Sequence, residues 1–420
     1  MSCSFRKRPW FEYKAPVNKE KHAIIVGAGL AGITSAWALA KRGWQIDLLD
    51  RRTEMAREGS GNALGILMPR ISLGKNAETS FYNAAYLKAL HECKVLKEKY
   101  PDFLWQQDGV LQIATSERIK KQMRQLDCNS DFARVLSPEA SNAQAGVAIN
   151  RASFYFPLAG YLSPRALCRH LIDEIAGQIK VHLNTRVEHL SQKDSTWSLW
   201  NQDGTCILKS ETVILANAAQ VRTFKETRWV SLDVARGQTT LVTATPRSKK
   251  ISCAICFEGY ILPEVKGQHL VGASFMRGDH NTEIREEEHL KNIHKLSNLF
   301  PDCFDFEIKN LKGHAALRAT TPDRMPLVGP VADLDFFKTH YHELHHGKTN
   351  RDYPSARHLK GLYLNTGHGA RGLCSSFLSA EVLAAQICNE TLPVSETTRE
   401  ALDPSRFLIR DLKAGKYRKK

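Results

Sequence analysis

Six consecutive residues restrict this chain more than any others: Gly27-Ala28-Gly29-Leu30-Ala31-Gly32. They follow an apolar run, Ala23–Val26, and precede a segment from about Gly32 to Arg42 in which Ile33, Ala36, Trp37 and Ala40 fall on one helical face. A second apolar run, Gln45–Leu49, ends at Asp50, 18 residues past the last glycine. In such a unit the first glycine permits a tight turn and the second lets backbone approach a pyrophosphate. The third lets helix lie close to strand, and the helix N-terminus faces the anion. An acid closing the second strand accepts hydrogen bonds from an adenosine ribose. Strand, turn, helix and acid in this order predict a dinucleotide site. Its place at the head of the chain, with cofactor-like segments recurring late, favours FAD over NAD. Arg51 and Arg52 beside Asp50 leave NADP open, since arginine can meet a 2′-phosphate.

The chain has 420 residues, enough for two or three domains. With 42% hydrophobic and 25% charged residues it is neither a disordered nor a fibrous chain. Its 59 Lys+Arg against 44 Asp+Glu give a net charge of +15, which favours a polyanionic partner. Ten scattered cysteines do not make a disulfide framework, and Cys253-x-x-Cys256 lacks the second pair of a structural zinc site. Ala23–Ala40 with Ala38-Leu39-Ala40 resembles a signal peptide and its cleavage site, but cleavage would discard the glycine turn. No other run approaches the ~20 apolar residues of a membrane span, so a cytoplasmic protein without membrane contact is expected.

Further elements are expected as a helix over Glu78–Tyr100, a strand and turn over Lys180–Leu190, and a hairpin of Trp197–Trp200 and Thr205–Leu208 around Asn201–Gly204. Thr212–Ala216 is a buried strand, Gly259–Pro263 and His269–Ser274 are extended, and Glu286–Leu299 is helical. Lys360–Asn365 is strand-like and Leu373–Cys388 helical. Asp335–Pro354, polar and rich in histidine, is expected as a surface insertion. The predicted class is α/β, with a Rossmann-like FAD-binding domain of the glutathione-reductase type and a second, β-rich substrate domain. The first domain takes residues 22–78, 150–222 and 313–400, and the second 79–149 and 223–312. Residues 1–21 form a basic extension and 401–420 a basic tail.

With these residues in hand, the chain resembles the D-amino-acid-oxidase-type FAD oxidoreductases. Gly59-Ser60-Gly61-Asn62, followed by Gly65 and Pro69, is similar to the segment that lies along the flavin. Arg186-Val187-Glu188 resembles the strand whose valine backbone meets adenine. Val213–Ala218 resembles the strand before an A-x-G element, with Ala216 and Asn217 at the cofactor and Ala218 where glycine is usual. Arg318–Gly329 is similar to the R-x-x-T-x-D-x-x-P-x-x-G segment, and Gly367-His368-Gly369-Ala370-Arg371-Gly372-Leu373 to the closing glycine turn. The resemblance therefore implies FAD contacts at Gly27, Gly29, Leu30, Ala31, Gly32, Asp50, Arg51, Ser60, Gly61, Asn62, Gly65, Val187, Ala216, Asn217, Gly369, Arg371, Gly372 and Leu373.

Within the family, Arg8-Pro9-Trp10-Phe11, Ser60-Gly61-Asn62, Glu258-Gly259-Tyr260, Gly272-Ala273-Ser274, Ala370–Ser375 and Leu402–Arg406 are most similar to members that modify a tRNA wobble uridine. The reaction implied is removal of the carboxymethyl group from 5-carboxymethylaminomethyl-2-thiouridine, by hydride transfer to flavin and imine hydrolysis. Those members usually carry a methyltransferase domain, which residues 1–21 cannot house, so methylation is not implied and a separate methyltransferase is an expected partner. A carboxylate arm needs a cationic clamp, and arginine offers a planar one. By resemblance to glycine-oxidase-like members the substrate residues are Arg318 and Tyr260. Arg371 is a second candidate, offset by one position from the arginine there. Arg318 has a structural alternative as partner of Asp323 or of FAD. The competing functions are a glycine-oxidase-like small-molecule amine oxidase and a non-catalytic RNA-binding module with structural FAD.

No metal is expected. His340-x-His342-x-x-His345-His346 lacks partners with metal-ligand spacing. His368 beside the glycine turn is either a cofactor neighbour or a hydrogen-bonded structural residue. Arg6, Lys7, Arg8, Lys14, Lys19 and Lys21 at the start, and Lys413, Lys416, Arg418, Lys419 and Lys420 at the end, fit tRNA phosphates.

Overall fold

A strand buried along its whole length belongs in the middle of a sheet covered on both faces. His22–Val26 (β1), buried from Ala23 onward, and Thr212–Leu215 are such strands, and they pair in parallel with Ile24 opposite Val213. In the computed structural model, which describes residues 8–16, 19–71, 74, 76–125, 130–305, 311–347 and 352–417, they are the centre of a six-stranded sheet. Gln45–Leu49 (β2) and then Ile179–His182 extend it on the β1 side. His358–Thr366 extends it on the other, and Leu327–Ala332 closes that edge antiparallel. The helix after the glycine turn, Leu30–Ala40 (α1), covers one face beside Gly372–Cys388, with Trp37 and Phe377 edge to face at 5.8 Å. The opposite face is covered by the hairpin strands His189–Lys193, Thr196–Trp200 and Cys206–Ser210, whose Trp197 and Leu199 are buried with Val213 and Leu215.

A nine-stranded, largely antiparallel sheet makes the second layer system. Its longest strand, Asp233–Thr243, pairs with Gly313–Thr320, and the expected helix Glu286–Leu299 lies against it. The fold is thus α/β, with a parallel, Rossmann-like sheet and a β-rich second part. Ser153–Phe156 and Gly313–Thr320 fall within the spans 150–222 and 313–400, yet both pair into the large sheet. A local apolar pattern shows that a strand exists, not which sheet it joins. Gly313–Thr320 also bridges from Thr320 to His368, just past His358–Thr366 of the six-stranded sheet, so it serves both.

Two expectations change. The histidine-rich stretch is not a polar surface insertion: Leu334–His340 is helical, and Phe337, Tyr341 and Leu344 are buried with Trp10 and Phe11 of the opening segment. The residues read as a basic tail hold a helix, Arg406–Lys413, whose Phe407, Leu408, Ile409 and Leu412 are buried. Chain start and end meet here: Arg8 pairs with Glu400 at 2.9 Å, and Ala356 N–H donates to Pro9 O at 2.8 Å. Arg6, Lys7, Arg418, Lys419 and Lys420 lie outside the described residues. Among the described residues no helix is long and apolar enough to cross a membrane.

Candidate active site

The glycine turn is compact because side chains would not fit. Gly27 has φ +108°, and a Cβ on it would stand 2.7 Å from Ala216 O. Gly32 is tighter still, since its Cβ would meet Gly27 O at 1.8 Å. Gly29 is the last extended residue, so α1 starts at Leu30, two positions before the expected start. The first turn of α1 carries no acid, which suits a phosphate at its positive end. Ser60 Oγ accepts from Leu30 N–H at 3.0 Å and ties the Gly59–Asn62 segment to that end.

Asp50 accepts from Ala28 N–H (2.7 Å) and Arg52 N–H (2.8 Å), one on each oxygen, and keeps lone pairs for a hydroxyl. Burial would raise the Glu58 carboxyl, but Arg51 and Arg52, at 2.5 and 2.9 Å, hold it below its usual range. Both arginines that left a 2′-phosphate open are thus engaged by Glu58.

The turn opens on a cavity of about 450 Å³. Gly27, Gly29, Leu30, Ala31, Asp50, Arg51, Ser60, Asn62, Gly65, Val187, Ala216, Asn217, Gly369, Arg371, Gly372 and Leu373 line it. Gly32 and Gly61 do not: Gly32 packs beneath the turn, and Gly61 abuts Arg57 O and the His314 ring. Their lack of a side chain serves the close packing of the backbone around the turn. On the wall, Asn217 Oδ1 is buried with no partner among the described residues, an acceptor awaiting a donor. The side-chain-free turn, the helix end, the ribose-type carboxylate and this orphan oxygen together fit FAD.

Ala218, where the resemblance has glycine, adopts φ +53°. An L side chain there costs roughly 1–2 kcal/mol. Ala218→Gly is expected to raise stability by about 1 kcal/mol in chemical denaturation, with flavin content unchanged. A destabilised variant would contradict the strain.

Tyr260, Arg318 and Arg371 also line the cavity. Arg318 is half-buried, and its guanidinium donates to Ser274 O at 3.4 Å. Asp323, its suggested structural partner, instead takes a two-pronged pair from Arg406 at 2.8 and 2.9 Å. Burial pulls the Arg318 guanidinium below its ordinary value and nearby Tyr260 offsets part of that. Burial also pushes the Tyr260 phenol up to about 12, so it is a neutral hydroxyl. Arg371 precedes the first turn of Gly372–Cys388 and lies over the Tyr82 ring at 5.6 Å, with no carboxylate on it among the described residues.

Among the cavity residues outside the expected set are Met68, Cys256 and Asn365, and His368, weighed above as a cofactor neighbour, also lines the wall. Cys256 belongs to the Cys253-x-x-Cys256 pair; its thiol is 3.8 Å from Met68 Sδ. Asn365 donates to Ala31 O (3.3 Å) and Ser35 Oγ (2.8 Å), so its Oδ1 faces His368 Nε2 at 3.0 Å as acceptor. His368 Nε2 therefore carries the proton, and Nδ1 meets Ser375 Oγ at 2.8 Å. The closing glycine turn is locked to the first turn of α1 through this chain. The polar end of the apolar strand Lys360–Asn365 was the one available signal for Asn365.

Burial drives His368 down to about 4. Between pH 6.5 and 4 the unfolded chain then binds the proton that the folded one refuses, so stability falls as pH drops through that window and is flat above it. Thermal melts at pH 7.5, 5.5 and 4.5 should show this fall, smaller in His368→Asn. Equal slopes in both proteins would count against a neutral His368.

The sequence profile of the family described as DAO, FAD dependent oxidoreductase, matches residues 22–386. The chain is 35% identical over 416 residues to the tRNA 5-methylaminomethyl-2-thiouridine biosynthesis bifunctional protein MnmC of Pseudomonas aeruginosa (strain UCBPP-PA14), covering 97% of this chain and 62% of that protein. The protein of the same name from Pseudomonas fluorescens is 34% identical over 421 residues, with 98% and 62% covered. The chain thus spans about three-fifths of the length of these relatives. Among solved structures, glycine oxidase from Geobacillus kaustophilus superposes with TM-score 0.72 at 18% identity, over 91% of this chain and 98% of that one. Iminodiacetate oxidase from Chelativorans sp. BNC1 does so with TM-score 0.69 at 16% identity, over 91% and 98%. With its glycine turn, its cavity and the reach of these matches, the chain belongs to the DAO family of FAD-dependent oxidoreductases.

Proposed function

We propose that this oxidoreductase removes the carboxymethyl group from 5-carboxymethylaminomethyl-2-thiouridine at the tRNA wobble position, leaving 5-aminomethyl-2-thiouridine and glyoxylate. The observation that carries the reading is Arg318: a half-buried guanidinium on the cavity wall with no carboxylate paired to it among the described residues. Bound FAD supplies a hydride acceptor. The chain's residues do the rest. Arg318 takes the substrate carboxylate, and the Tyr260 hydroxyl, un-ionised, donates to it. With the carboxylate fixed, the neighbouring CH2 has one orientation along the cavity. Two cations on the wall, Arg318 and Arg371, disfavour protonation of a nearby amine, and only the neutral amine can lose hydride. Loss of that hydride and of the N–H proton leaves a C=N bond on the substrate. Water adds to it, the C–N bond breaks, and the aminomethyl base separates from glyoxylate.

A tRNA substrate is supported by the charge beside Arg371 of the cavity wall. Arg70 and Arg371 both lie over the Tyr82 ring, at 5.8 and 5.6 Å, and the Tyr82 hydroxyl donates to Arg324 O at 2.6 Å. Two guanidinium groups thus lie over one buried ring, and among the described residues the one carboxylate paired with them is Glu78, on Arg70. Burial lowers the Arg70 guanidinium, Glu78 works against that, and Arg371 and Arg324 lower it further. A phosphate would relieve that repulsion. Apparent tRNA affinity is expected to fall roughly tenfold or more between 50 and 200 mM salt. Arg324→Ala, at an exposed position, should flatten the log–log slope by about 0.7. A slope unchanged by that substitution would remove these arginines from the RNA path. The same reading places the work in the cytoplasm, with a separate methyltransferase acting on the aminomethyl product.

The deciding experiment mixes the oxidised holoenzyme, without air, with tRNA from cells lacking this protein. Bleaching of the flavin, with loss of the carboxymethyl mass and appearance of the aminomethyl nucleoside, is expected. An unchanged nucleoside, together with bleaching by glycine or sarcosine, would assign the protein to small-molecule oxidation. A flavin that neither substrate bleaches would leave it a binding module.

A further inference from the structure

Among the described residues, Phe275 is the one aromatic among the strongly exposed large apolar side chains, at 52% exposure. Single exposed apolar residues are ordinary, and many sit on backbone that can fold them away. This one cannot. Ser274 before it donates its N–H to Gln238 O at 3.1 Å, and its Oγ accepts from Gln238 N–H at 2.8 Å and meets buried Glu288. Met276 after it pairs with Arg236, and Gly278 N–H donates to Val234 O at 3.0 Å. Arg236 itself is fully buried and bonds Glu288 (2.7 Å), Gln238 (2.9 Å) and the carbonyls of Asn281 (2.5 Å) and Glu283 (2.6 Å). The exposed ring is held in place by a buried network on both sides.

What the ring stands beside is equally specific. The Arg318 guanidinium, which opens on the cavity, is 5.9 Å from the centre of the Phe275 ring. In the substrate proposed above, four bonds separate the pyrimidine C5 from the carboxylate carbon, on the order of 5 Å when extended. A base on the ring and a carboxylate on the guanidinium are therefore matched by the length of the side arm. Every base has a flat face for an aromatic ring, whereas glycine or sarcosine has none. We propose that Phe275 is the platform on which the pyrimidine of the modified nucleoside stacks while Arg318 beside it grips the arm. This assignment rests on the proposed tRNA reaction and adds to it the residue that selects a nucleobase-bearing amine over a free one.

The test compares holoenzymes carrying Phe275→Ala, Phe275→Leu, Phe275→Tyr and Phe275→Trp with the parent, measuring KM and kcat on tRNA bearing the carboxymethylaminomethyl base. Bound flavin and melting temperature are measured in each. KM is expected to rise roughly tenfold or more in the Ala and Leu proteins, with kcat at saturation little changed and flavin intact. Tyr and Trp should stay within about threefold of the parent, since they keep a flat ring. An Ala protein with KM within twofold of the parent overturns the platform, as does a Leu protein that matches the parent, because apolar cover over Arg318 would then suffice. A fall in kcat at unchanged KM overturns it too, placing Phe275 behind Arg318 and not against the base. If the parent itself leaves the tRNA nucleoside untouched, the underlying reaction fails and the platform with it; an active parent with indifferent variants refutes the platform alone.

Discussion

Arg318→Leu is expected to purify yellow, melt no lower than the parent, and lose roughly 10²- to 10³-fold in kcat/KM on the modified tRNA. The three outcomes have one cause. The hydrogen bonds on Asp50 come from the Ala28 and Arg52 backbone and none from Arg318, so loss of that arginine leaves the adenosine cradle whole. In the free protein Arg318 is a half-buried cation with one long hydrogen bond to a carbonyl, and an apolar replacement removes a desolvation cost. With a carboxylate present, the same change leaves a negative charge in the cavity without its clamp. Arg318→Lys should recover only part of the loss, since an ammonium offers a point charge in place of two parallel donors. The measurements are the flavin absorbance of the purified protein and the rate of its anaerobic bleaching. Bleaching at the parent rate would show that the carboxylate binds elsewhere, and Arg371 would be the next residue to test.

Gly32→Ala should have the opposite signature: a colourless protein with less than about a tenth of the parent's flavin. The added carbon would stand 1.8 Å from Gly27 O, and that oxygen belongs to the backbone and cannot swing aside. Either α1 retreats from β1 or the turn reshapes, and in both cases the end of α1 moves from where Ser60 and Asp50 hold it. Gly43→Ala is a fitting control, because a Cβ there meets nothing within 4 Å, although its φ of +80° will cost some stability. Flavin release by acid precipitation and readdition of FAD would quantify both. A yellow Gly32→Ala protein would show that the turn has more slack than its distances allow.

The parts of this molecule that could be read in advance are those whose signals are local. The glycine turn, the acid at Asp50, the hairpin around Asn201–Gly204 and the helix Glu286–Leu299 each lie within a short window whose chemistry permits one conformation. Phe337, Tyr341 and Leu344, spaced four and three apart, also carried a helical signal, but the surrounding histidines masked it. The large sheet was less legible because several of its strands, Tyr260–Ile261 and Met276–Arg277 among them, are too short for any periodicity. Arg318 and Tyr260 entered through a resemblance, since nothing in their own neighbourhoods distinguishes them from structural residues. Cys256, Asn365 and Phe275 gain meaning only from partners far along the chain: Met68, Ala31 and Arg318.

The six-stranded sheet draws on segments from residue 22 to residue 366, and its central strand Thr212–Leu215 must wait for His358–Thr366 to take its outer side. On the ribosome the glycine turn therefore emerges long before the wall that completes its pocket, Asn365 and the Gly367–Leu373 turn, has been synthesised. Capture of the prosthetic group becomes one of the last steps of biogenesis, and chains cut short before His358 should accumulate without pigment whatever the flavin supply.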